Sequence, residues 1–212
     1  MTIIHGAQRT PRVRKAAAER EAEILAAATT VFAREGYRSA DVQRVADLAG
    51  VGKGTVYRYF PTKEALFRAA LKRCLDRLRA CSEAARAGAD DPLAQLRAVL
   101  RAYFGFFDDN PEAIELFIQE RAELPGDGAS LYFVYFEAHH QEWEGMIIGL
   151  QENGVLRRLP PRTILELLND MAYGAVVSST LSLNRAPLRE RADLIIDIFL
   201  NGLAVRRSQH SA

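Results

Sequence analysis

Apolar residues along this chain recur every three or four positions, and nowhere do apolar and polar residues alternate long enough to demand a strand. The pattern predicts an all-α protein of about nine helices. Ile24, Ala27, Ala28, Val31 and Phe32 share one face of a first helix over about 14–35, which Gly36 stops as a C-terminal cap. Ser39 or Asp41 can cap a short second helix with Val42, Val45, Ala46 and Ala49 on its apolar side, and Gly50 breaks it. A third short helix, about 53–60, ends at Pro61. Thr62 then caps a long fourth helix to about residue 88, with Glu64 in its first turn complementing the dipole. Leu66, Phe67, Ala70, Leu71, Cys74, Leu75 and Leu78 recur along it.

The second half is punctuated as clearly. Asp91-Pro92 and Asn110-Pro111 are cap-then-proline starts for helices over about 92–108 and 111–124. Pro125-Gly126-Asp127-Gly128 is a loop, after which Ser130 starts a long helix that Asn153-Gly154 stops. Pro160-Pro161 opens another to about residue 183, and a last runs over about 188–206. Residues 1–12 and 207–212 are expected to fray. There is no internal repeat and no low-complexity linker.

Composition changes this picture little; charge distribution changes it more. The chain of 212 residues is 49% hydrophobic and 26% charged, the balance of a globular protein. No run reaches 18 consecutive apolar residues, so no membrane span is expected, and the basic, turn-rich start lacks the apolar core of a secretory signal. Cys74 and Cys81 lie on one helix about 10 Å apart, too far for a disulfide, which suits a reducing cytoplasm. Net charge is only +1, yet residues 1–79 carry 16 Lys and Arg against 8 Asp and Glu, while the remainder carries 12 against 19. An electropositive N-terminal module on an acidic body suggests a polyanionic partner.

A two-helix DNA reader needs a small residue where its helices cross, a glycine at its tight turn, and an apolar anchor for the second helix. Ala46, Gly50, and Val51 with Val56 meet these demands in order. The third helix then crowds Lys53, Thr55, Tyr57, Arg58 and Tyr59 onto two turns. Gly52-Lys53-Gly54 leaves backbone N–H groups free to meet a phosphate, and Lys63 begins the next helix on the other side.

The run Gly36-Tyr37, then Val45-Ala46-Asp47-Leu48-Ala49-Gly50-Val51-Gly52-Lys53-Gly54-Thr55-Val56-Tyr57-Arg58-Tyr59-Phe60-Pro61-Thr62-Lys63-Glu64-Ala65-Leu66, closely resembles the DNA-binding domain of TetR-family repressors. The likeness covers about residues 14–70. It implies Gln43, Lys53, Thr55 and Tyr59 as groove-facing positions and Gly54, Tyr57 and Lys63 as backbone-contacting ones. Arg44, Gly52 and Arg58 complete the DNA-binding set. Two positions depart from the family pattern: Ala40 stands where many members have Thr at the start of the second helix, and Gly52 where many have Ser before the third. The implied organisation is a basic arm over 1–13 (Arg9 and Arg12, with Arg14 and Lys15 just beyond), a helix-turn-helix domain over 14–62, a helical ligand-binding and dimerisation domain over 63–206, and a tail over 207–212. The arm either adds DNA contacts or is a solvated tail.

Aromatic and sulfur-bearing residues concentrate on three consecutive helices of the body. Tyr103, Phe104, Phe106 and Phe107 lie on one, Ile114, Phe117 and Ile118 on the next, and Tyr132, Phe136, His139, Trp143, Met146 and Leu150 form a stripe on the third. Most such residues build core, but the set also suits an apolar cavity. Phe104, Phe107, Phe117, Glu120, Tyr132, Phe136, His139, Trp143 and Tyr173 are the candidate ligand contacts, with Glu115 and Arg121 as further polar groups. They suggest a small hydrophobic or aromatic inducer, cationic if a glutamate faces inward. His139 and His140 point about 100° apart on a helix and have no Cys/His cluster around them, so no metal is expected and no cofactor.

The last two helices suit a homodimer interface as a four-helix bundle, with Gly174 and Ser178 allowing close approach; burial within one chain is the alternative. No phosphate loop, nucleophile elbow or paired carboxylates point to an enzyme. The expected protein is a cytoplasmic, dimeric regulator, most simply a repressor that a small molecule releases from a palindromic operator. An activator, and a helical carrier whose helix-turn-helix no longer reads DNA, remain open at this point.

Overall fold

A computed structural model describes residues 16–124, 129–181 and 187–201. Among the described residues the chain is nine α-helices and no strand: α1 (Ala17–Glu35), α2 (Val42–Leu48), α3 (Lys53–Tyr59), α4 (Lys63–Ala87), α5 (Pro92–Asp109), α6 (Pro111–Glu123), α7 (Leu131–Glu152), α8 (Pro161–Leu181) and α9 (Leu188–Asn201). The basic arm with Arg14 and Lys15, the loop 125–128, and the stretches expected to extend the last two helices lie outside the described residues, as does the tail.

The small N-terminal unit follows from its apolar period. Ile24, Ala28 and Phe32 of α1 are fully buried against Val42, Val45 and Ala46 of α2 and Val56 of α3. Gly36 and Gly50 take φ of 78° and 65°, left-handed values that let the chain leave α1 and α2 sharply. Phe67 of α4 then meets Phe32 edge-on at 5.1 Å and Tyr37 at 5.2 Å, so α4 is built into this unit before it runs on into the body. There α4 packs on α5, α5 on α9 and α7 on α8 around one continuous apolar core.

The helix starts divide into two kinds. Asp41, Thr62 and Asp91 cap α2, α4 and α5 locally, each accepting first-turn backbone N–H bonds. Asn110 precedes α6 without capping it. Its amide instead donates to the Phe106 carbonyl and accepts from Arg77. Ser130 likewise makes no cap bond at α7. The donor there is met from another helix: the Leu131 N–H reaches both oxygens of the buried Glu120 carboxylate, at 2.9 and 3.1 Å. At α9 the N–H groups of Leu188 and Arg189 bond to Asp108 at the end of α5, at 2.8 and 2.9 Å.

Candidate DNA interface and ligand cavity

The α2–α3 pair is held by a few shared groups. One oxygen of Asp41 accepts both the Gln43 N–H at 2.8 Å, capping α2, and the Lys53 ammonium at 3.0 Å, fixing the start of α3. Those two bonds hold the Asp41 carboxyl below its ordinary value. Val51 is half-buried and Val56 fully so, which anchors α3 by one apolar edge and leaves the rest of its surface outward. Tyr57 is 40% exposed, a large ring with no packing reason to be there. Gly52 and Gly54 are also exposed, and a Cβ added at either would meet nothing within 4 Å. The chain's own packing therefore does not require these glycines; a partner backbone approaching α3 closely would. Lys63 donates to the Arg38 carbonyl at 3.0 Å with its ammonium 5.1 Å over the Tyr37 ring, beside the same surface. Arg44 pairs with Glu35 and Gln43 with Asp47. Surface pairs of this kind are weak.

Within the body, α4, α5, α7 and α8 line a partly open cavity of about 140 Å³. Leu75 and Leu78 of α4, Leu96 and Leu100 of α5, and Leu165 and Leu168 of α8 make its apolar walls, and α7 contributes Phe136, Trp143 and Met146. At one side Tyr132 donates to the Asn169 Oδ1 at 2.8 Å and lies 3.0 Å from the Tyr103 hydroxyl, so Tyr103 donates to Tyr132 in turn. Burial pushes both phenols well above their ordinary pKa, keeping them neutral. At the rim Arg79 is held by Glu83 at 2.6 Å and Glu142 at 2.8 Å, and the Arg86 guanidinium stands 5.9 Å over Trp143. Tyr135 donates to Asp76, and its burial together with that carboxylate pushes it up to about 12.

The family model described as "Bacterial regulatory proteins, tetR family" matches residues 24–70, which span α1 to the first turns of α4. The HTH-type transcriptional regulator RutR of Escherichia coli O157:H7 is 31% identical over 177 residues, covering 78% of this chain and 78% of that protein. The chain belongs to the TetR family. The HTH-type transcriptional repressor KstR2 of Rhodococcus jostii is 29% identical over 159 residues, covering 74% of this chain and 78% of its own. The fold matches that of the transcriptional regulator FadR from Bacillus subtilis in complex with stearoyl-CoA, with a TM-score of 0.72 at 19% identity, over 86% of this chain and 99% of that one.

The fold of this TetR-family regulator brings some expected site residues together and separates others. Gln43, Arg44, Gly52, Lys53, Gly54, Thr55, Tyr57, Arg58 and Lys63 gather on or beside the outer face of α2 and α3. Tyr59 does not share that freedom. It is half-buried, its hydroxyl lies 3.4 Å from the Ala17 carbonyl, and Arg58 covers its ring, so it pins α3 to α1. Of the ligand candidates, Tyr132, Phe136, His139 and Trp143 line the cavity. Phe104, Phe107 and Phe117 instead fill the core, each 2% exposed or less, in edge-to-face contact with other rings. Glu120 is the cap of α7, and Tyr173 packs behind Tyr132 at 4.6 Å. Glu115 and Arg121 lie off the cavity wall.

The contributions of α4 and α8 to the cavity were not among the expected contacts. Their signal was a polar residue on an apolar stripe: Ser82 follows Leu75 and Leu78, and Asn169 sits among Leu165, Leu168 and Ala172. His140 turns away from the cavity toward Glu137, Glu144 and Arg162. No described helix is long and apolar enough to cross a membrane.

Proposed function

We propose that this regulator is a cytoplasmic repressor that grips a palindromic operator as a homodimer and lets go when a small apolar or aromatic molecule enters the cavity. The observation that carries it is the course of α4. Its first residue, Lys63, stands beside the reading surface, and Leu75, Leu78, Arg79 and Ser82 farther along the same helix line the cavity. Lys63 and Ser82 are about 28 Å apart on one rigid element. A ligand that prefers one tilt of α4 thereby prefers one placement of α3, and DNA affinity changes by linkage. The division into a reading unit over 14–62 and a body over 63–206 belongs to this reading, with α4 as the joint.

Dimerisation supplies two α3 helices to successive half-sites about 34–36 Å apart. The surface that serves it runs along α8, where Leu167, Met171, Gly174, Ser178 and Leu181 are exposed at three- and four-residue spacing, beside exposed Leu194 of α9. Relatives that carry the names regulator and repressor support the assignment.

The test is DNA binding across a salt series, comparing DNA flanking the chain's own coding region with random DNA. A specific regulator prefers one palindromic segment by about a thousandfold or more at physiological salt. Equal affinity for both DNAs, vanishing as salt rises, leaves only the generic electrostatic attraction and sinks the reading. Lys53→Ala with Tyr57→Ala abolishes the preference while cavity binding persists.

A further inference from the structure

Resting on the reading that the α4–α5–α7–α8 cavity is the ligand site, we propose that its ligand is an uncharged molecule built on a single substituted aromatic ring that donates one hydrogen bond, such as a phenol. Size sets the first limit. The cavity holds about 140 Å³, and an engineered cavity of about 150 Å³ with apolar walls takes one benzene ring.

Charge sets the second. Among the described residues Arg79 is the charged side chain that lines the cavity, and it is already held by both Glu83 and Glu142. Neither carboxylate lines the cavity itself, so no unpaired charge at its wall repays the desolvation of a carboxylate, phosphate or ammonium. The third limit is which hydrogen-bonding groups are left over. His139 Nδ1 lies 2.8 Å from the Tyr135 carbonyl, which can only accept, so Nδ1 carries a proton and, in the neutral imidazole, Nε2 of this cavity-lining ring is an acceptor. The Tyr103 hydrogen is spent on Tyr132, which leaves the Tyr103 oxygen an acceptor as well. Two acceptors, beside the Ser82 hydroxyl and the Asn169 amide that also line the cavity, suit a ligand that donates. Flat rings match the aromatic walls that Phe136, Trp143 and Tyr103 present.

Trp143 is the chain's single tryptophan, so its fluorescence reports cavity occupancy directly, with calorimetry as the independent measure. The probes are 4-ethylphenol, ethylbenzene, 4-ethylbenzoate and stearoyl-CoA, each added to the full chain. The phenol is expected to bind and perturb Trp143, ethylbenzene to bind roughly five- to tenfold more weakly for want of the hydrogen bond, and both anions to give no signal. His139→Leu should bring the phenol close to the hydrocarbon's affinity, and Val99→Phe, at the cavity wall, should weaken both together. Tighter binding of either anion than of the phenol overturns the proposal, and so does a phenol-to-hydrocarbon ratio that His139→Leu leaves unchanged. The DNA arm separates this from the regulatory reading. A phenol that binds without altering operator affinity upholds the cavity chemistry and removes the inducer role. Operator release by stearoyl-CoA with no phenol binding keeps the inducer role and overturns the cavity chemistry.

Discussion

A buried carboxylate and a half-buried one show how differently an acidic side chain is used in this fold. Glu120 is 4% exposed, and burial, only partly opposed by the Leu131 N–H and the more distant Arg68, raises its pKa. Asp108 is also drawn in, but there the N–H groups of Leu188 and Arg189 and the Arg189 guanidinium outweigh burial and hold it below its ordinary value. The signs of their pH dependence are therefore opposite. The Glu120 contribution is fully present below its unfolded pKa and declines as pH rises through its folded value. The Asp108 contribution is present above its unfolded pKa and is lost as pH falls through its folded value, below about pH 4. Asp108→Ala is expected to cost about 1 kcal/mol at neutral pH by uncapping α9 and to flatten the loss of stability in that acid window; denaturant titrations at several pH values test both. Glu120→Ala is expected to cost about 1–3 kcal/mol, since it strands a buried N–H. Glu120→Gln, which keeps one acceptor for Leu131, should cost less. If ligand binding but not stability responds to Glu120→Ala, its assignment as a cap fails.

At the scale of elements, the turn between α2 and α3 decides where the reading surface points. Gly50 sits at φ 65°, and an added Cβ would touch nothing within 4 Å, so substitution meets no clash and only the cost of the backbone conformation. Gly50→Ala is expected to lose about 1 kcal/mol or somewhat more and to weaken DNA binding beyond what the stability loss explains, because α3 shifts on α2. Gly54→Ala tests a different cause. Its φ is ordinary and its surroundings are empty, so folding should be unchanged while DNA binding falls. Unaltered DNA binding there would mean that α3 does not approach a phosphate backbone at this position. On α8 the apolar period alone does not tell which edge faces inward. The structure turns Ile164, Leu168, Ala172 and Val176 into the core and leaves Leu167, Met171 and Leu181 outside.

For the whole molecule, that outer stripe is the proposed dimer face. Leu167→Glu with Met171→Glu is expected to yield a folded monomer by sedimentation, with helix content retained. Operator affinity should then drop by more than a hundredfold, because one α3 alone holds one half-site. A dimer that survives both changes would place the interface elsewhere. Coupling between cavity and DNA is expected at roughly 5–150-fold in operator affinity, transmitted along α4. A second link exists through α6, where Gln119 donates to the Phe32 carbonyl at the end of α1 at 2.9 Å and Glu123 pairs with Arg38.

Sequence alone determined the helices, most of their ends and the α2–α3 pair, because these depend on neighbours within a few residues: an apolar period, a capping Asp or Thr, a glycine at positive φ. The helix-turn-helix was legible down to single residues for the same reason, since its contacts span little more than one turn and two short helices. The contact of Tyr59 with α1 was not legible, because its partner Ala17 lies forty-two residues away along the chain. Only the tertiary structure could decide which aromatics are core and which are cavity wall, as Phe104 and Phe136 present the same chemistry and differ in what stands opposite them. It also decided that Glu120 and Asp108 serve helices other than their own. A local cap is written within four residues of the N–H it satisfies, whereas a remote one exists only once two distant segments have been packed side by side.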